Sequence, residues 1–389
     1  AGLRKFLRFC GPGYMIAVGY MDPGNWATDL EAGSRYGYSL LYVILVSSVM
    51  ATVLQHLCVR LGVYGRVDLA EACRRWCPVW LNIPLYLIAE LAIISCDLAE
   101  VLGTAIALKL LLGIPIIYGV LLTVLDVLFL LGGLGEGRRE YKALEVIVMV
   151  LMSIIGACFL AELAIVRPRW DQVLLGFVPR QAWLFTDQEA LLCALGILGA
   201  TVMPHNLYLH SSIVKHSLVD AAAESSGEGE VEAGKQPTVT QSDIERQQPE
   251  TGKEQLEELP ILPAAKLDEI VRWSTYDLLI ALFMALLINA AILVVAAAAF
   301  HERGETSVRT IEGASRLLGN LMGGLSRVLF GLALLAAGQS STVTGTLAGQ
   351  IVFEGFLKLE MRPWVRRLVT RSVAIVPALL IILIAGEAY

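Results

Sequence analysis

The sequence predicts an all-α, polytopic membrane protein built from an inverted repeat, and three observations point there. Of its 389 residues, 56% are hydrophobic and 17% charged. The mean hydropathy is +0.65, and the apolar runs reach or exceed the roughly 20 residues that a helix needs to cross a bilayer. Two of those runs, the first and the sixth, are interrupted by a proline flanked by polar residues, at Asp22-Pro23-Gly24-Asn25 and at Met203-Pro204-His205. Broken helices in corresponding positions of two halves are the sequence pointer to an inverted-repeat transporter with its binding site at the midplane.

Spans are expected near residues 7–32, 39–62, 82–112, 115–133, 141–166, 188–214, 275–300, 323–357 and 365–385. The first is preceded by Arg4, Lys5 and Arg8, which resembles a signal peptide, but its apolar run is too long and lacks a small-residue cleavage site. With the N-terminus inside, the inner loops hold roughly twenty Lys and Arg and the outer loops about nine, so the N-terminus is expected in the cytoplasm. Seven cysteines, Cys10, Cys58, Cys73, Cys77, Cys96, Cys158 and Cys193, lie mostly within or beside spans. An odd number in that setting predicts free thiols, not a disulfide framework. No basic surface interleaved with aromatics suggests a nucleic-acid partner; the bilayer is the expected environment.

The first span carries its cost openly. Asp22 puts a carboxylate where hydrocarbon is favoured, and Pro23-Gly24 frees backbone carbonyls able to bind a cation. In the third span Glu90, Asp97 and Glu100 are spaced by seven and three residues, which puts them on one helical stripe. Such a stripe reads either as a proton relay or as acids paired with arginines from elsewhere. The sixth span repeats the theme of the first: Pro204 removes a backbone donor, so that carbonyls near Ala200 and Thr201 are left to face a cavity.

Residues 217–263 change character, with nine glutamates among Gly, Gln, Ser, Thr and Pro, and are expected to be a disordered acidic cytoplasmic loop within a single transmembrane domain of 1–389. Lys266 to Trp273 reads as an amphipathic lead-in to the seventh span. In the eighth, Gly338 to Gln350 is dense in small and hydroxyl residues, which suits close helix packing or a water-lined path.

Together the two breaks supply the Asp22 carboxylate, the Asn25 amide oxygen, a carbonyl such as that of Ala200, and the Met203 thioether. Oxygens alone would suit magnesium or calcium; a thioether adds little for those ions and suits softer transition metals. Histidine at 205 has three readings: metal ligand, proton acceptor near neutral pH, or partner for a freed carbonyl. The proton role is favoured. His205 and His210 lack the Glu and spacing of a hydrolytic zinc helix, and no enzymatic activity is expected.

These residues resemble the Nramp family, the natural-resistance-associated macrophage proteins, which import divalent transition metals together with protons. The resemblance rests on Asp-Pro-Gly-Asn at 22–25, Met-Pro-His at 203–205, Ala-Glu-Leu-Ala-Ile-Ile-Ser-Cys-Asp-Leu-Ala-Glu at 89–100 and Gly-Gln-Ser-Ser-Thr-Val-Thr-Gly-Thr at 338–346. It implies the inverted-repeat fold of the amino-acid transporter LeuT. It also implies a metal held by Asp22, Asn25, the Ala200 carbonyl and Met203, with Gln55 able to approach. Glu90, Asp97, Glu100 and His205 would form a proton route, with an arginine among Arg366, Arg367 and Arg371 as countercharge, Arg371 foremost.

Two features depart from the resemblance. The acidic insertion is longer than family loops usually are, and nine spans leave the second repeat one short, so the chain is expected to be a fragment of a longer protein. The expected function is proton-coupled import of manganese or iron, with cadmium, cobalt and zinc as further substrates, by a monomer in a bacterial plasma membrane holding no permanent cofactor. A metal sensor of the same fold is the alternative, and an amino-acid transporter a third reading that has little use for Met203.

Overall fold

The computed structural model describes residues 12–123, 138–179, 186–225, 262–305, 311–315, 324–359 and 363–385, and among these there is no strand. Proline chemistry divides the first span. Pro23 has no amide hydrogen and pushes the preceding residue into extended backbone, and Asp22 adopts φ −67°, ψ 164°. Helix α1 (Pro12–Gly19) therefore stops. Tyr20 and Met21 close it by donating to the carbonyls of Ala17 and Val18, each at 3.0 Å. Helix α2 (Pro23–Tyr36) then starts afresh with Asp22 as its N-cap.

The second span is α3 (Leu41–Arg60), prolonged by a π turn over Leu61–Gly65. A short amphipathic helix, α4 (Leu69–Trp76), follows, opened by a reciprocal capping box between Asp68 and Glu71. The third span is α5 (Val79–Leu112), 34 residues ended by Gly113 at φ 72°. At 1.5 Å per residue it runs about 51 Å, well beyond a hydrocarbon core of about 30 Å. Residues 116–123 are helical; the remainder of the expected fourth span lies outside the described residues. Then come α6 (Arg138–Val166), α7 (Trp170–Gly176) and the two halves of the sixth span, α8 (Gln188–Thr201) and α9 (Pro204–Ser225).

Helix α9 runs on to Ser225, so residues 217–225, placed in the acidic loop by composition, are helical. Residues 226–261 of that loop lie outside the described residues. Similarly, α10 (Ala264–Ala299) begins well before residue 275 and absorbs the amphipathic lead-in into one 36-residue helix. Helices α11 (Gly324–Leu357) and α12 (Pro363–Ala385) complete the chain.

Helix α10 runs behind the first break and holds it. Its Asp277 accepts a 2.7 Å hydrogen bond from the Gly13 amide at the start of α1, where orphan N–H groups and the helix dipole favour an anion. Its Asn289 donates to the freed Tyr20 carbonyl at 2.8 Å. The neighbouring Met21 carbonyl accepts from the Trp26 indole at 3.1 Å. Trp26, fully buried, meets Phe159 and Phe330 edge-on at centroid distances of 4.8 and 5.4 Å. The break is thus bonded from behind and packed from below.

Small residues let α5 and α11 approach. A Cβ at Gly338 would collide with the Thr104 hydroxyl, and one at Gly331 would stand 3.0 Å from Leu111. The outer faces are apolar: Val46, Val49, Val53 and Leu57, spaced along one face of α3, are each more than half exposed. That pattern is costly in water and correct in lipid. Among the described residues six segments are long and apolar enough to cross a membrane; the first, Pro23–Gly65, joins α2 to the second span, and α12 holds a shorter apolar stretch, Leu368–Leu380.

Candidate functional site

The two breaks face each other. Asp22, 3% exposed, accepts from the Asn25 backbone amide at 2.8 Å and from the Asn25 side-chain amide at 2.7 Å, both through Oδ1. The same Asn25 Nδ2 reaches across to α8 and donates to the Ala200 carbonyl at 3.0 Å. Two acceptors, one anionic, therefore converge on a single donor group. A cation is the other species that satisfies such a pair.

Met203, 4% exposed, stands at the end of the second break, its sulfur 3.8 Å from Asn206 Nδ2 and 3.9 Å from the Cys96 thiol. Asn206 in turn packs on Gly19, where a Cβ would clash with its amide, so the second break is seated against the end of α1. Asp22, Gly24, Cys96, Ala200, Met203 and His205 line a cavity of about 220 Å³. Among the described residues no three of His, Cys, Asp and Glu form a conventional metal cluster. The donors gathered here are one carboxylate, one amide, one carbonyl and sulfur.

Gln55 is placed differently from the expectation. It is fully buried, its Nε2 donating to the Tyr20 hydroxyl and its Oε1 joined to His210 Nδ1, each at 2.8 Å. With both ends of its amide occupied, Gln55 braces the first break from α3 and does not line the cavity with Asp22.

The acidic stripe of α5 faces α12. Glu90 pairs with Arg366 at 2.5 Å. Two and nearly three turns along, Arg371 lies 3.8 Å from Asp97 and 3.4 Å from Glu100, all three at most 2% exposed. The Thr342 hydroxyl of α11 donates to Glu100 at 3.0 Å. Arg371 is thus the arginine that meets the inner acids, Arg366 meets the outer one, and the side chain of Arg367 lies outside the described residues. His205, 4% exposed, stands between cavity and stripe: it lines the former, its Nδ1 has no hydrogen-bond partner, and the charge of Asp97 acts on it.

The hydroxyls of the eighth span mostly serve their own helix. Ser340, Ser341, Thr344 and Thr346 donate to carbonyls three or four residues back, at 2.7 to 3.0 Å. Close packing, more than a wet path, explains them, and Thr342 carries the bond across helices. Sequence reasoning passed over Tyr20, Asp29, Asn289 and Cys96. Asn289 was findable as a lone amide in an apolar run. Asp29, 1% exposed with one oxygen unpartnered, sits seven residues after Asp22 and so on the same face of α2.

The family model for Nramp, described as natural resistance-associated macrophage protein-like, matches residues 13–389. The chain is 49% identical over 388 residues to the divalent metal cation transporter MntH of Xanthomonas campestris pv. campestris, covering 99% of this chain and 77% of that protein. The MntH of Bradyrhizobium diazoefficiens is 47% identical over 385 residues, covering 99% and 76%. Among solved structures, the Eremococcus coleocola manganese transporter in complex with an aromatic bis-isothiourea substituted compound superposes with a TM-score of 0.80 at 34% identity, covering 100% of this chain and 73% of that one. A mutant form of the same transporter gives 0.78.

Proposed function

The chain belongs to the Nramp family of membrane metal transporters, and from that premise we propose that it imports divalent manganese, with iron as a second substrate, in symport with protons. The observation that carries this reading is the convergence of the Asp22 carboxylate, the Ala200 carbonyl and the Met203 thioether on one cavity where two helices stop. The relatives named as divalent metal cation and manganese transporters support it.

The metal sheds most of its water on entering the cavity. Asp22 neutralises part of its charge, and Asn25 turns its amide so that the oxygen, not the nitrogen, faces the site. Cost and gain then balance: the metal replaces the donors that Asp22 and Ala200 lose. Met203 adds a soft donor that favours transition metals over calcium and magnesium. Protons pass by His205 to Asp97 and Glu100, where a proton taken up weakens the pairing with Arg371 and frees α12 to shift. Rocking of the two broken helices against the other spans exposes the site alternately to each side, in a plasma membrane with the N-terminus inside.

The test uses purified full-length protein in liposomes. Saturable manganese uptake that acidifies the lumen is the expected result, and Asp97→Asn should slow lumen acidification more than metal uptake. Manganese binding without uptake would overturn transport; uptake with no proton movement would overturn symport alone.

A further inference from the structure

Six cysteines are free among the described residues, and Cys96 differs from the others in its surroundings. Helix α5 turns Ala92, Ser95, Cys96 and Ala99 toward the cavity, while Asp97 and Glu100 point round the helix to Arg371. The residues one turn to either side of it on that face, Ala92 and Ala99, are small. Its sulfur lies 3.9 Å from that of Met203. In the same cavity His205, 4% exposed, presents a ring nitrogen with no hydrogen-bond partner.

Two sulfurs at this spacing are well placed to share one ion. With the zinc–thiolate length of about 2.3 Å as the yardstick, a separation of 3.9 Å closes a triangle whose angle at the metal is about 116°, and a larger ion such as cadmium narrows that angle toward the tetrahedral value. We propose that Cys96 is a specificity-determining ligand, giving the transported ion a second sulfur and tilting this chain toward thiophilic divalent cations such as cadmium. The proposal rests on reading the cavity as the cargo site. A thiolate binds soft ions far more strongly than it binds manganese or magnesium. When it does so the metal–sulfur bond replaces the S–H bond, the proton leaves to water, and no electron changes hands. Asp22 then supplies the hard donor common to every divalent ion, and the two sulfurs supply the discrimination.

Three measurements on the full-length protein test this. On adding cadmium chloride, the wild type should show the ultraviolet sulfur-to-cadmium charge-transfer band, and Cys96→Ser should lose most of it. In liposomes, the advantage of cadmium over manganese should fall about tenfold in Cys96→Ser, a change of about 1.4 kcal/mol. Cys193→Ser, which removes a thiol outside the cavity, should keep both the band and the ratio. Should Cys96→Ser fail to fold, the wild type still answers: cadmium should protect Cys96 from alkylation, read by mass spectrometry, relative to the same protein without metal. An unchanged band and ratio in Cys96→Ser, or equal alkylation with and without cadmium, would overturn the sulfur assignment while leaving manganese transport standing. Absence of manganese uptake by the wild type would instead sink the transport reading, with the band and the protection still judging Cys96.

Discussion

Replacing Arg371 by methionine removes a guanidinium from between two buried carboxylates while keeping most of its apolar stem. Its Nη1 stands 3.4 Å from Glu100 and 3.8 Å from Asp97. At an effective dielectric of about 20, those distances correspond to roughly 5 and 4 kcal/mol of attraction. That gross figure overstates the net, because the arginine's own desolvation disappears with it; breaking a buried pair by removing one partner costs about 3 to 5 kcal/mol. Thermal unfolding in detergent should therefore move down by roughly 4 to 6 °C. Adding Asp97→Asn and Glu100→Gln to Arg371→Met should recover most of the loss, since the uncompensated charges go too. A single variant within about 1 kcal/mol of wild type, or a triple variant no better than the single, would show that the arginine is not balancing these acids.

Three further outcomes follow from the geometry. Met203→Ala should weaken cadmium and manganese binding by about tenfold while leaving calcium nearly unaffected, as measured by competition against radioactive manganese; unchanged selectivity would remove the thioether from the site. Gly103→Ala places a methyl 2.5 Å from the Pro23 ring, and should destabilise by about 1 to 3 kcal/mol and lower manganese affinity by moving the start of α2; a wild-type melting curve would refute the close contact. In the connection after the second span, burial pushes the Asp68 carboxyl up to about 7. Burial pushes the Glu71 carboxyl up as well, but the 2.7 Å bonds and charge of Lys215 outweigh it and hold that carboxyl below its ordinary value. Because Asp68 binds its proton more tightly folded than unfolded, its contribution is present below the ordinary aspartate value of 3.8 and is lost as pH rises, over roughly pH 4 to 7. Asp68→Asn keeps an acceptor for the Glu71 amide and should flatten that part of the stability profile.

How far the sequence could be read depends on whether a residue's environment is local. Asp22, Pro23 and Pro204 announce themselves because they break an apolar run, and the spacing of Glu90, Asp97 and Glu100 puts them on one face whatever that face meets. What the face meets is a tertiary matter: no spacing reveals that α12 brings Arg366 to one end of the stripe and Arg371 to the other. Helix ends misled for a related reason. Residues 217–223 include a run of three alanines, strong helix formers, while the glutamates that mark the acidic stretch begin at Glu224, so α9 outruns the composition boundary. Lys266 to Trp273 is polar enough to lie at an interface yet continuous with the span behind it.

Gln55 shows the same limit within the site, and Asn25 shows what lies beyond it. An amide carries a donor and an acceptor, so its sequence position says where it is and not which end it offers. Gln55 spends both ends on Tyr20 and His210. Asn25 offers its nitrogen to Asp22 and Ala200 together, and so occupies with a partial positive charge the place between two acceptors where a cation would sit. Without that bridge, the Asp22 carboxylate would keep only backbone donors and the Ala200 carbonyl would face it across a low-dielectric interior, at a cost of roughly 1 to 3 kcal/mol. The amide therefore ties the two broken helices together, and on the proposed transport reading an arriving ion would displace it and not merely fill a gap. A site held in this way would give up part of its binding energy to the turning of Asn25, which would keep the bound ion releasable, as the proposed transport demands.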